Sequence, residues 1–65
     1  MIEDFATIFR AQRKSLNMPQ EELAALSGVS ERTIRDFERG KLSIALEKVG
    51  TLAEVLGIDI TAEIS

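Results

Sequence analysis

The 65 residues include no cysteine and no histidine, which removes disulfides, zinc ligation by these side chains and nucleophile–histidine catalysis. Tyrosine is absent too, so no constellation of catalytic groups can be assigned. An enzyme is therefore not expected, nor a cofactor or a metal. No apolar run approaches the roughly 20 residues of a membrane-spanning helix. The start, MIEDFATIF, is acidic where a signal peptide would be basic. A cytoplasmic location and no membrane partner are the expectations. A single proline, Pro19, interrupts the chain, and no linker, repeat or low-complexity stretch does. Apolar residues, in contrast, make up 45% of the chain, too many for disorder and suited to one small helical domain.

A basic excess is also missing. The net charge is -3 and the isoelectric point about 4.8, whereas nucleic-acid binders usually carry a positive surplus. The distribution matters more than the sum. Seven of the eight basic residues lie between Arg10 and Lys41, and only Lys48 falls outside. Glu3 and Asp4 precede that stretch; Glu47, Glu54, Asp59 and Glu63 come after it. Acidic ends can face away from an anion that the middle faces, and could suit a basic protein partner.

Periodicity predicts four helices. The first runs from about Glu3 to Ser15, with Phe5, Ile8, Phe9 and Gln12 along one stripe and Leu16 just beyond. Pro19 suits the first turn of the second helix, about Pro19 to Ser27. The third spans about Glu31 to Arg39 and stops at Gly40. The fourth runs from about Ile44 to Leu56, with Ser43 as its cap and Leu46, Val49, Leu52, Ala53 and Leu56 inward. Gly50 interrupts it at a cost of about 1 kcal/mol, which close helix packing would explain. Beyond Gly57 the period changes to two: Ile58, Ile60, Ala62 and Ile64 alternate with Asp59, Thr61 and Glu63. That pattern predicts a half-buried strand, and with no second strand in the chain its partner should be another chain.

The segment Pro19–Gly40, PQEELAALSGVSERTIRDFERG, has the form of a helix-turn-helix. Ala24 permits a close crossing, Gly28 can take the positive φ that ends the second helix, and Ser30 can cap the third. Ile34 and Phe37 turn one face of the third helix inward. Its outward face carries Glu31, Arg32, Arg35, Asp36 and Arg39, a set suited to base edges and phosphates. Double-stranded DNA is the expected partner.

The run Gln20-Glu21-Glu22-Leu23-Ala24, then Gly28-Val29-Ser30, Thr33-Ile34, Phe37-Glu38, Gly40 and Leu52-Ala53-Glu54-Val55-Leu56-Gly57, resembles the Cro and phage-repressor-like (XRE) helix-turn-helix domains over roughly residues 8–57. The resemblance implies a mainly α, four-helix lambda-repressor-like domain, here residues 1–57, that regulates transcription by binding specific DNA. Such domains usually carry a fifth helix. Its replacement by a strand, residues 58–65, is similar to the C-terminal arrangement of HipB-like antitoxins, in which strands pair across a dimer that binds operator DNA and a HipA-like kinase toxin. The implied protein is a homodimer on a palindromic operator, with dimerisation through Ile58, Ile60, Ala62 and Ile64. A phage-type repressor, a restriction-modification controller, or a protein-interaction module without DNA binding remain alternatives.

The same motif implies that Ser30, Glu31, Arg32 and Arg35, with Asp36, face bases. Arg32 is the candidate for a bidentate contact to guanine, while Glu31 either accepts from cytosine or simply favours the helix N-terminus. Facing a phosphate, Glu31 or Asp36 would repel it. Gln20 occupies the family's phosphate-contacting position; Thr33, Arg39 and Lys41 flank the reading residues, and Arg10 and Lys14 extend the basic footprint. Arg13 and Glu38 are implied to form a partly buried structural ion pair.

Overall fold

The computed structural model describes residues 2–41 and 43–60, with side chains from residue 5 onward. Its helices are α1 (Ile2–Ser15), α2 (Gln20–Ser27), α3 (Glu31–Glu38) and α4 (Leu46–Leu56). Each boundary lies within two residues of the sequence expectation. α1 and α2 both pack against α3 and α4. Between them lies a core of Phe9, Leu23, Val29, Ile34, Phe37, Val49, Leu52, Ala53 and Leu56. The largest fully buried side chains are Phe9, Leu23, Ile34 and Leu52, each stabilising by about 1.5–3 kcal/mol through removal from water. Phe9 meets Phe37 edge-on, with ring centroids 5.2 Å apart and planes at 85°, the arrangement that ring quadrupoles favour. Gln12 donates from Nε2 to the Leu56 carbonyl at 3.0 Å, tying α1 to the end of α4.

Left-handed residues stop the helices and set the direction of each connecting segment. Asn17 ends α1 at φ 54; its N–H bonds the Lys14 carbonyl at 3.0 Å, and that of Met18 bonds Arg13 at 3.1 Å. This pair of bonds is the Schellman closure, built here without glycine. Gly28 closes α2 at φ 76, its N–H on the Ala24 carbonyl, a conformation that costs a Cβ-bearing residue energy. The next amide, of Val29, donates to the Ser27 hydroxyl at 3.1 Å. The chain thus turns within three residues, Gly28 to Ser30, and drops Val29 into the core. After α4, the Ile58 amide bonds the Ala53 carbonyl at 2.8 Å and Ile58 folds onto the core.

Several sequence expectations are corrected. The inward residues of α1 are Ala6, Phe9 and Arg13, whereas Phe5 and Ile8 are 37% and 52% exposed. The buried stripe is rotated because it includes a charged residue that hydrophobic patterning counts as outward. Pro19 is the N-cap of α2 rather than part of it, and its carbonyl accepts from Glu22 and Leu23. Ser43 does not cap α4: Ala45 holds that position, with no side-chain bond. Leu46 is 79% exposed; it lies on the first turn, beyond the core's edge, and Ile44 packs there instead. Gly50 is exposed with nothing within 4 Å of a Cβ built on it, so close packing does not explain it. Of the expected strand, Ile58, Asp59 and Ile60 adopt no strand, and among the described residues there is none. Ala62 and Ile64 lie outside the described residues. An intermolecular ladder has no partner within one chain.

Candidate nucleic-acid interface

The interface is built on α3, and the way α3 is held decides what it presents. Ile34 and Phe37 anchor it to the core. Ser30 caps it, its Oγ accepting from the Thr33 N–H at 3.1 Å and donating to Thr33 Oγ1 at 2.7 Å. The Ser30 hydroxyl therefore both donates to and accepts from Thr33, at an exposed helix start. Arg32, the second residue of α3, is exposed and forms no ion pair among the described residues. Arg35 is exposed and donates to Glu31 Oε2 at 3.3 Å, an i,i+4 pair with side chains 46% and 45% exposed.

The end of α3 repeats the Schellman closure. Gly40, at φ 90, bonds Phe37, and the Lys41 N–H returns to the Asp36 carbonyl at 3.1 Å. That 6→1 bond brings Lys41 alongside Asp36, with Nζ 3.9 Å from Oδ2. Thr33, Asp36, Phe37, Lys41, Ser43 and Ile44 line a shallow cleft of about 80 Å³ beside this turn. Ser43, expected as a cap, belongs to that cleft. Arg39 sits at the C-cap with an exposed side chain.

Behind the face lies the Arg13–Glu38 pair. Arg13 donates from Nε to Glu38 Oε2 at 2.7 Å and from Nη2 to Oε1 at 2.9 Å. Its Nη1 reaches the Met18 carbonyl at 2.8 Å, so one guanidinium also secures the α1–α2 turn. Arg13 is the one buried charged residue among those described, at 8% exposure. The hydrogen bonds it donates to Glu38 hold the Arg13 guanidinium above its ordinary value, against the opposing effect of burial. Burial pushes the Glu38 carboxyl up, yet hydrogen bonds from Arg13 and Gln20, with the charges of Arg13 and Arg10, outweigh it and hold that group below the usual carboxylate value.

Gln20, expected on a phosphate, donates Nε2 to Glu38 Oε1 at 3.0 Å. Reading by motif missed this bond because the two residues lie 18 apart in sequence. Gln20 also opens α2, so the start of α2 adjoins the end of α3. Arg10 is exposed and close enough to act on Glu38, which places it near the same end of α3. Lys14 is exposed one turn further along α1, and among the described residues it forms no ion pair with α3.

Two short helices crossing through a tight turn, the second capped and carrying exposed arginines, define a helix-turn-helix module. A family model described as helix-turn-helix matches residues 9–62. The chain is 41% identical over 61 residues to an uncharacterized HTH-type transcriptional regulator, y4mF, of Sinorhizobium fredii, covering 91% of this chain and 80% of that one. It is also 41% identical over 51 residues to an uncharacterized HTH-type transcriptional regulator of Methanothermobacter thermautotrophicus, covering 78% and 74%. The chain belongs to the helix-turn-helix family, of the Cro/C1 (XRE) type. No described helix is long and apolar enough to cross a membrane.

Proposed function

We propose that this chain is a transcription regulator that binds double-stranded DNA, as a homodimer on a palindromic operator. The observation that carries the reading is the outward face of α3, where Arg32 stands exposed in the first turn of a capped helix, without an ion pair among the described residues. Laid in a major groove, Arg32 and Arg35 reach base edges, with Ser30, Glu31 and Asp36 beside them. Phosphates on either side fall to Gln20, Thr33, Arg39 and Lys41, with Arg10 and Lys14 on the flank. Gln20 is suited to a double role, since its amide has a second N–H beyond the one bonded to Glu38. Selection from random DNA followed by a salt titration tests this. A recovered palindrome and a steep fall of log K with log salt are expected; a flat titration would assign the fold to protein contacts instead.

The dimer is proposed to form through Ile58, Ile60, Ala62 and Ile64, by antiparallel pairing of residues 58–64 with their copy. Ile58 packs on the core while Ile60 is exposed, which leaves Ile60 for a second subunit. Thr61→Pro removes a ladder donor and should yield monomers in sedimentation with helical circular dichroism retained. A variant that stays dimeric would move the interface elsewhere. For a protein partner we propose a HipA-like kinase toxin, on the resemblance of residues 58–64 to the end of HipB-like antitoxins. A HipA-like kinase gene adjacent to this one supports that reading; a phage lysis module or a methyltransferase there replaces it with a phage-type repressor or a restriction-modification controller.

A further inference from the structure

We propose that Glu31 and Asp36 set specificity by holding two cations of the DNA-facing surface on the protein itself, releasing them only to a site that offers a better partner. The inference rests on the DNA-binding reading above and deepens it. From Glu31 to Lys41 there are four cations, Arg32, Arg35, Arg39 and Lys41, and three carboxylates, Glu31, Asp36 and Glu38. Glu38 belongs to Arg13. The other two each sit against a cation expected on DNA: Glu31 on Arg35 at 3.3 Å and Asp36 on Lys41 at 3.9 Å. Both pairs are partly exposed, so they are weak and exchangeable rather than structural.

Their geometry is set locally and needs no partner. Glu31 and Arg35 are one helical turn apart. Lys41 is brought back by the Gly40 turn, its own amide on the Asp36 carbonyl. Arbitrary DNA offers phosphates and little else, and its binding derives from phosphate neutralisation. A phosphate approaching Lys41 or Arg35 must displace a carboxylate that then remains nearby and repels it. An operator also offers base-edge hydrogen bonds, which the carboxylates do not oppose. The two acids therefore penalise random DNA more than operator, which raises the ratio that matters against a genome of competing sites.

Asp36→Asn and Glu31→Gln, measured on operator and on random-sequence duplex across a salt series, test the proposal. Each variant should bind random DNA about two- to fivefold more tightly, with a salt slope steeper by up to about one unit. The operator-to-random ratio should fall. Adding Lys41→Ala to Asp36→Asn should abolish that variant's gain, because the gain comes from freeing Lys41. Unchanged random-DNA affinity, an unchanged ratio, or a gain that survives loss of Lys41 would each overturn the proposal. Melting temperatures near wild type are expected for both single variants, because both pairs are exposed; a variant melting far below wild type would show a structural acid and overturn the assignment too. Wild-type protein that binds neither duplex would instead refute the DNA-binding reading.

Discussion

Arg13→Ala should be the most damaging single truncation of a polar side chain among the described residues. The change removes two bonds to Glu38, one to the Met18 carbonyl and, among the described residues, the only ion-pair partner of a side chain 5% exposed. Breaking one side of a buried pair costs about 3–5 kcal/mol, because the remaining charge has lost its compensation. A domain of this size holds roughly 3–10 kcal/mol in total. The variant should therefore melt on the order of 12 °C or more below wild type, at about 4–8 °C per kcal/mol, or be unfolded at room temperature.

Arg35→Ala provides the control. It also removes an ion pair, but an exposed i,i+4 pair worth about 0.3–0.5 kcal/mol, so its melting temperature should shift by only a few degrees. Both variants lose one positive charge, which cancels any effect of net charge. A third variant isolates the cause: Arg13→Met with Glu38→Leu removes both charges together and should recover most of the loss. Thermal melts followed by circular dichroism are sufficient. Equal melting temperatures for Arg13→Ala and Arg35→Ala would refute the reasoning, as would a double variant no better than Arg13→Ala.

Glu38 is held below its ordinary value, so its contribution to stability is complete above the unfolded value of about 4.3 and is lost as pH falls through the lower folded value; Glu38→Gln should flatten the acid side of the melting-temperature profile, and an unaltered profile would count against the pair. Gly50→Ala should stabilise by about 0.5–1 kcal/mol, since the added methyl meets open space; a loss in chemical denaturation would reveal a contact there. Asn17→Ala should destabilise by about 1 kcal/mol because φ 54 is costly for alanine, and Asn17→Gly should not. Arg32→Ala should leave melting unchanged and cost roughly 1–3 kcal/mol of operator binding with relaxed preference at one base pair, whereas Lys41→Ala should weaken binding without changing the preference at any base pair; selection on both variants checks the distinction.

Distance along the chain decides how much of this fold and site is legible in the sequence. Gly28 and Ser30 could be assigned because each acts within one turn of its own position, and Ile34 and Phe37 because their spacing marks one face of α3. The Glu31–Arg35 pair is written in its i,i+4 spacing in the same way. The Lys41–Asp36 pair is not, since it depends on Gly40 reversing the chain after α3. The face of α1 was misplaced because its buried stripe contains Arg13, and only a partner 25 residues away explains a buried arginine. Leu46 and Ser43 were misplaced for a simpler reason: the start of α4 carries no side-chain cap to mark it.

Glu38 then acquires a meaning that none of these local rules contains. Its two carboxylate oxygens accept from Arg13 on α1 and Gln20 at the start of α2, while its backbone ends α3. Three helices therefore meet at one side chain, and Arg13 extends the joint to the Met18 carbonyl in the α1–α2 turn. In the proposed complex, α3 faces bases and the start of α2 faces a phosphate, so their mutual position decides whether both contacts form together. Glu38 lies behind that face and fixes that position. Glu38→Gln preserves its size and much of its hydrogen bonding but removes the charge that holds Arg13 buried. It should therefore loosen α2 against α3 and weaken operator binding at temperatures where the fold persists, although residue 38 itself need not touch DNA. Operator affinity indistinguishable from wild type, measured well below the variant's melting temperature, would show that packing by Ile34 and Phe37 alone sets the geometry.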